Sequence, residues 1–122
     1  MMAADARPIW IQLVDEFRRR IVGGQWAAGD KIPSVRELAF DLGVNPNTVQ
    51  RALTEIDRLG LTQTARATGR YVTTEAAAID AARLEIARAA ADQYVASARS
   101  IGLTQQTSTQ LIAERWPANE GN

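Results

Sequence analysis

A helix stop followed at once by a helix start constrains this chain more than any other feature in it. Gly43 closes an apolar run of helical spacing, Val35, Leu38, Ala39 and Leu42, and suits the left-handed residue that ends a helix. Asn45 is a good N-cap and Pro46 fits the first helical position. Val49, Ala52, Leu53, Ile56 and Leu59 then form a second apolar stripe, which Gly60 closes. Ser34 and Glu37 are spaced as a capping box, so the first of these two helices starts at Ser34. Two short helices joined this tightly make a helix-turn-helix.

The flanking segments complete a domain. Trp10, Leu13, Val14, Phe17 and Ile21 recur at helical spacing behind Pro8, and Gly23-Gly24 stops that helix. Arg18, Arg19 and Arg20 sit near its end, where cations complement the helix dipole. After Gly60 the period changes. Leu61 to Arg66 and Arg70 to Thr73 are rich in β-branched or aromatic residues around Ala67-Thr68-Gly69, which predicts a β-hairpin, or wing. Residues 1–74 therefore read as a winged helix-turn-helix, in a chain that is mainly α with a small β-hairpin.

From about Glu75 the composition shifts to alanine and helix formers, and residues 75–122 read as a two-helix tail. A long helix over 76–101 aligns Ile79, Ala82, Ile86, Ala90, Tyr94, Ala98 and Ile101. Gly102 ends it, and Thr104 caps a last helix carrying Leu111, Ile112 and Trp116. Two helices cannot bury such faces alone, so Ile79, Ile86, Ala90, Tyr94, Ile101, Leu111 and Ile112 are expected at a dimer interface. A 122-residue monomer would bury only about two-thirds of its unfolded surface, which also favours a partner subunit.

Composition excludes most chemistry. There is no cysteine and no histidine, which removes disulfides, thiolate nucleophiles, imidazole bases and nearly every zinc, copper or haem site. No nucleophile–base pair or phosphate loop is apparent, so the chain is expected to be neither an enzyme nor a cofactor carrier. No long apolar run suggests a membrane span and the N-terminus lacks a signal-peptide core, so a cytoplasmic location is expected. Fourteen Lys/Arg balance fourteen Asp/Glu, so a nucleic-acid surface must come from local placement of charge.

Position supplies such a surface. The second helix of a helix-turn-helix enters the major groove, and here its polar side presents Asn47, Thr48, Gln50 and Arg51, with Thr54 and Arg58 further on. Free backbone N–H groups at its start are expected to favour an anion. Arg36 points outward from the preceding helix toward a phosphate or a guanine edge. Arg66, and more weakly Arg70, place charge at the hairpin tip beside Gly69.

The strings Pro8-Ile-Trp-Ile-Gln, Gly29-Asp-Lys-Ile-Pro-Ser-Val-Arg-Glu-Leu-Ala, Leu42-Gly-Val-Asn-Pro-Asn-Thr-Val-Gln-Arg-Ala and Leu59-Gly-Leu resemble the GntR family of bacterial transcription regulators. Asn-Pro-Asn-Thr-Val and the short two-helix tail resemble its YtrA subfamily. The resemblance implies a homodimer binding a pseudo-palindromic DNA operator, usually as a repressor. It implies DNA contacts from Arg36, from Asn45, Asn47, Thr48, Gln50 and Arg51, and from Arg66 and Gly69 in the wing. The family wing commonly reads Arg-Arg-Gly-Lys-Gly-Thr where this chain has Ala65-Arg66-Ala67-Thr68-Gly69-Arg70. The tail lacks the separate ligand domain of larger GntR branches, so a small-molecule effector is left open.

One alternative stands beside this reading: a winged-helix protein-interaction module without DNA binding, which the neutral charge and depleted wing favour. The state of the arginines discriminates. Arg36, Arg51, Arg66 and Arg70 lying on one face favour DNA, and neutralised arginines favour the alternative.

Overall fold

The computed structural model describes residues 5–118. Five helices and one hairpin follow in the order α1 (Ile9–Val22), α2 (Val35–Leu42), α3 (Pro46–Arg58), β1 (Thr62–Ala65), β2 (Gly69–Val72), α4 (Ala76–Ser100) and α5 (Gln105–Arg115). These residues divide into two compact units, with the boundary inside α4 between Leu84 and Glu85.

The first unit is built by its helix ends. Ser34 Oγ accepts from the Glu37 amide at 3.1 Å while the Glu37 carboxylate accepts from the Ser34 amide at 2.9 Å, so the capping box forms as its spacing predicts. Gly43 ends α2 at φ +65°, in the left-handed region. Asn45 Oδ1 caps α3 through the Asn47 amide at 2.7 Å, with Pro46 at the first helical position. Each cap fixes where one helix stops and the next begins, and so fixes the angle of the helix-turn-helix.

Leu13, Phe17 and Ile21 of α1, Leu38 and Ala39 of α2, and Val49, Ala52, Leu53 and Ile56 of α3 form the core. Leu61 and Val72 root the hairpin in it. Trp26 closes one side, its ring 5.3 Å from that of Phe17, with the Arg20 guanidinium above the indole. The hairpin is antiparallel, pairing Thr62 with Val72 and Thr64 with Arg70. The 29–32 segment lies along its outer edge, where the Ile32 amide donates to Arg70 O and the Val72 amide to Asp30 O. A wing tied on two sides is a better-defined tool than a lone hairpin, which is marginal in water.

Ile79 belongs to this core as well. It was expected at the dimer interface, yet it is 9% exposed and packed with the winged-helix residues, with Ala82 half-buried beside them. The first turns of α4 thus spend their apolar face within their own unit. Helical periodicity marks such a stripe as apolar without saying what covers it.

The second unit holds the remainder of α4 and all of α5. Thr104 caps α5 through the Thr107 amide, and the Tyr94 hydroxyl donates to Ser108 O at 2.9 Å. Ala98 is buried there, but α5 buries no residue.

Candidate nucleic-acid interface

The polar side of α3 arises because its apolar residues fall on the other side. With Val49, Ala52, Leu53 and Ile56 in the core, Asn47, Gln50, Arg51 and Thr54 are turned to solvent, and Thr48 is half-buried at the margin. Gln50 donates to Thr54 Oγ1 at 3.2 Å, a contact along the helix surface that a base edge could replace.

Two features of this face differ from expectation. The start of α3 offers no free amide through its first four residues. Pro46 has no N–H, the Asn47 amide is taken by Asn45 Oδ1, and those of Thr48 and Val49 donate to Asn45 O. An anion there would meet the helix dipole and side chains rather than a cradle of amides. The Asn45 side-chain oxygen is likewise committed to capping, which leaves its NH2 group as the end with no bond among the described residues.

Arg51 has an aromatic neighbour from α1. Its guanidinium carbon lies 4.1 Å from the centre of the Trp10 ring. Such a stack restricts a long side chain while leaving its N–H edges open to a second partner.

The other cations separate into spent and unspent. Arg58 is paired with Glu55, which pulls that carboxyl below its usual range and raises the arginine. Arg70 is paired with Asp57 at 3.0 Å and only 14% of its side chain is exposed. Arg70 therefore behaves as the alternative reading requires and is not a surface charge of the wing tip. By contrast Arg36 and Arg66 are exposed and make no ion pair among the described residues, and Arg51 has only its ring contact.

The nearby acids explain why the neutral total does not cancel these charges. Glu37 is held below its ordinary value by the amide and hydroxyl of Ser34. Asp30 accepts from the Ala27 amide, while Glu55 and Asp57 hold Arg58 and Arg70. These four carboxylates thus take their hydrogen bonds from local donors rather than from Arg36, Arg51 or Arg66. The positive charge is unspent where the helix-turn-helix needs it.

In the wing, Ala65, Arg66, Ala67 and Thr68 form a tight turn closed by the Thr68 amide on Ala65 O at 3.2 Å. Ala67 occupies the third position at φ +70°, where a type II turn calls for glycine. Gly69 sits at φ +125°, and a Cβ there would meet Lys31 Cε at 2.7 Å. Lys31 is exposed and makes no ion pair among the described residues, so it adds a cation beside the wing that sequence reasoning missed. Gly29-Asp30-Lys31 carries an obvious turn signal, but only its pairing with Tyr71 brings Lys31 to the hairpin.

Comparison with known proteins fits this geometry. Residues 11–72 match the family described as bacterial regulatory proteins, gntR family. The chain belongs to the GntR family. It is 36% identical over 107 residues to the HTH-type transcriptional regulator YhcF of Bacillus subtilis (strain 168), covering 88% of each chain. It is 41% identical over 69 residues to the HTH-type transcriptional repressor YtrA of the same organism, covering 57% of this chain and 53% of YtrA. A GntR family transcriptional regulator from Listeria monocytogenes superposes with a TM-score of 0.84 at 32% identity, covering 93% of this chain and all of that one. The DNA-binding domain of AraR in complex with operator ORR3 superposes with a TM-score of 0.54 at 25% identity, covering 60% of this chain and 88% of that one.

This GntR chain is accordingly a transcription regulator with a DNA-binding domain, mainly helical and with no enzymatic activity in its family's role. No helix among the described residues is long and apolar enough to cross a membrane.

Proposed function

We propose that this protein is a homodimeric repressor that binds a pseudo-palindromic operator in the cytoplasm. Residues 1–74 would bind DNA and residues 75–122 would join the two copies. One observation carries the DNA contacts: Arg36, Arg51 and Arg66 make no ion pair among the described residues, while Asp30, Glu37, Glu55 and Asp57 are tied to local donors. In this reading Asn47, Thr48, Gln50 and Arg51 read base edges, with the Asn45 amide at the groove margin. Arg36 and Arg66 take phosphates, and Gly69 lets the wing backbone approach. Recognition helices of the two copies would lie about 34–36 Å or a multiple of that apart, and occupancy would block the polymerase.

The homodimer is supported by what the second unit leaves uncovered. Val95, Ile101, Leu111, Ile112 and Trp116 are exposed, and α4 and α5 flank an apolar groove of about 830 Å³ lined by Ala90, Tyr94, Ala98, Leu103, Ile112 and Trp116. A helix of 11 residues with nothing buried does not hold its place in water without a further surface. A second copy offers the same apolar face and gives closed two-fold symmetry matching a palindrome. Ile86, Ala90, Tyr94, Ile101, Leu111 and Ile112 serve this seam, whereas Ile79 is already taken by the winged-helix core.

The test is a fluorescence-anisotropy titration against the DNA upstream of the protein's own gene and against a scrambled duplex, at two salt concentrations. Tighter binding to the upstream duplex, with Arg36→Ala reducing the salt slope by about one, supports the reading. Wild-type affinity from both Arg36→Ala and Arg51→Ala removes those two residues from the interface.

A further inference from the structure

The Asp57 carboxylate gathers donors from both strands of the wing. Asp57 lies in the last turn of α3. Its Oδ1 accepts from the Thr62 hydroxyl and from Arg70 Nε at 3.0 Å, and its Oδ2 from the Thr64 hydroxyl at 3.3 Å and Arg70 Nη2 at 3.1 Å. Thr64 and Arg70 face each other across the hairpin, so one carboxylate holds a directly opposed cross-strand pair. The Arg70 side chain is 14% exposed and that of Asp57 is 27% exposed, which shelters the pair from full solvent screening.

Below this cluster Leu61 and Val72 already anchor the hairpin in the core. Above it only the Ala65–Gly69 pairing and the exposed turn remain, with Lys31 beside the outer strand. The Asp57 cluster is thus the outermost side-chain tie between wing and recognition helix among the described residues. A two-pronged arginine–carboxylate contact fixes direction as well as distance.

We propose that Asp57, through Arg70 and the two threonines, is a positioning residue that sets the wing tip relative to α3. Arg66 is thereby delivered to a phosphate while α3 occupies the groove. Arg70 then serves DNA binding without touching DNA. This rests on the reading that Arg66 contacts DNA, and the experiment separates the two.

The test compares Asp57→Asn/Arg70→Gln, which leaves net charge unchanged, with Arg66→Ala and with all three changes together. Each is titrated against an operator duplex over a range of salt, and hydrogen exchange of the Thr68 amide is followed without DNA. The paired variant is expected to bind about tenfold more weakly, to lose about one unit of salt slope, and to exchange Thr68 faster. Adding Arg66→Ala to it is expected to cost less than about twofold more, because both act on one contact. Wild-type affinity in the paired variant, or a loss that adds in full to that of Arg66→Ala, overturns the proposal. Wild-type affinity in Arg66→Ala itself shows that the wing does not reach DNA and overturns the underlying reading as well. If the paired variant fails to fold, Arg70→Lys keeps the charge but loses the two-pronged geometry. It is then expected to show a smaller loss that vanishes in the Arg66→Ala background, and an unchanged affinity refutes the proposal.

Discussion

Replacing Trp10 with leucine should weaken operator binding although Trp10 lies on α1, outside the helix-turn-helix. The Arg51 guanidinium sits 4.1 Å above the Trp10 ring. A cation–π contact at an exposed site is worth about 0.5–1 kcal/mol. Ordering a long side chain at an interface costs about 0.5–1.5 kcal/mol, and the stack meets part of that cost before DNA arrives. Losing the ring should therefore weaken binding by roughly 0.5–1 kcal/mol, about two- to fivefold in Kd. Leucine keeps an apolar side chain where Trp10 packs against the core, so the comparison can be made on folded protein.

Anisotropy titrations of wild type, Trp10→Leu, Arg51→Ala and the double variant form the cycle that isolates this contact. Trp10→Leu is expected to have no further effect once Arg51 is alanine. Equal losses in both backgrounds would show that Trp10 acts by some other route. Tighter binding by Trp10→Leu would show that Arg51 must leave the ring to reach DNA, which reverses the sign of the argument.

Three further outcomes follow from named residues. Ala67 holds a left-handed conformation that costs a non-glycine residue about 1–2 kcal/mol, whereas glycine costs about 0.4–1 kcal/mol through the unfolded chain. Ala67→Gly should thus raise stability by about 0.5–1 kcal/mol in urea unfolding, and a destabilised variant would refute the assigned turn. Glu37 and Glu55 are held below the usual 4.5, by Ser34 and by Arg58, and Asp5 is lowered to about 2 by Arg7. Carboxyls depressed in the folded state stabilise fully above their unfolded values, and that stability is lost as pH falls through the folded ones. Denaturation midpoints should therefore drop below about pH 4.5, and the gap between wild type and Glu37→Gln should shrink there; a gap that widens would contradict the capping-box origin. Ile112→Asp, on the exposed face of α5, should convert the sedimenting species from dimer to monomer without unfolding the first unit. A variant that stays dimeric would move the seam elsewhere.

The helix-turn-helix was legible in the sequence because its signals are local. Ser34 with Glu37, Gly43, and Asn45 with Pro46 each act within a few residues, and all fall where their chemistry places them. The hairpin and both tail helices follow from periodicity in the same way. Contacts between distant segments were not legible. Arg70 reads as a charge at the tip of a turn, and only the docking of the hairpin on α3 reveals that Asp57 spends it. Trp10 reads as one more apolar helix position until α3 lays Arg51 across it. Ile79 follows the same logic, since an apolar stripe cannot say whether its own domain or a second copy will cover it.

The most direct test of the central claim is selection of bound sequences from a library of random duplexes with the purified full chain. The expected result is enrichment of an inverted repeat whose half-sites are about 10 base pairs or a multiple apart, lost in Arg51→Ala. Recovery of an unenriched library, with binding equal on every duplex, would contradict sequence-specific recognition by this helix-turn-helix.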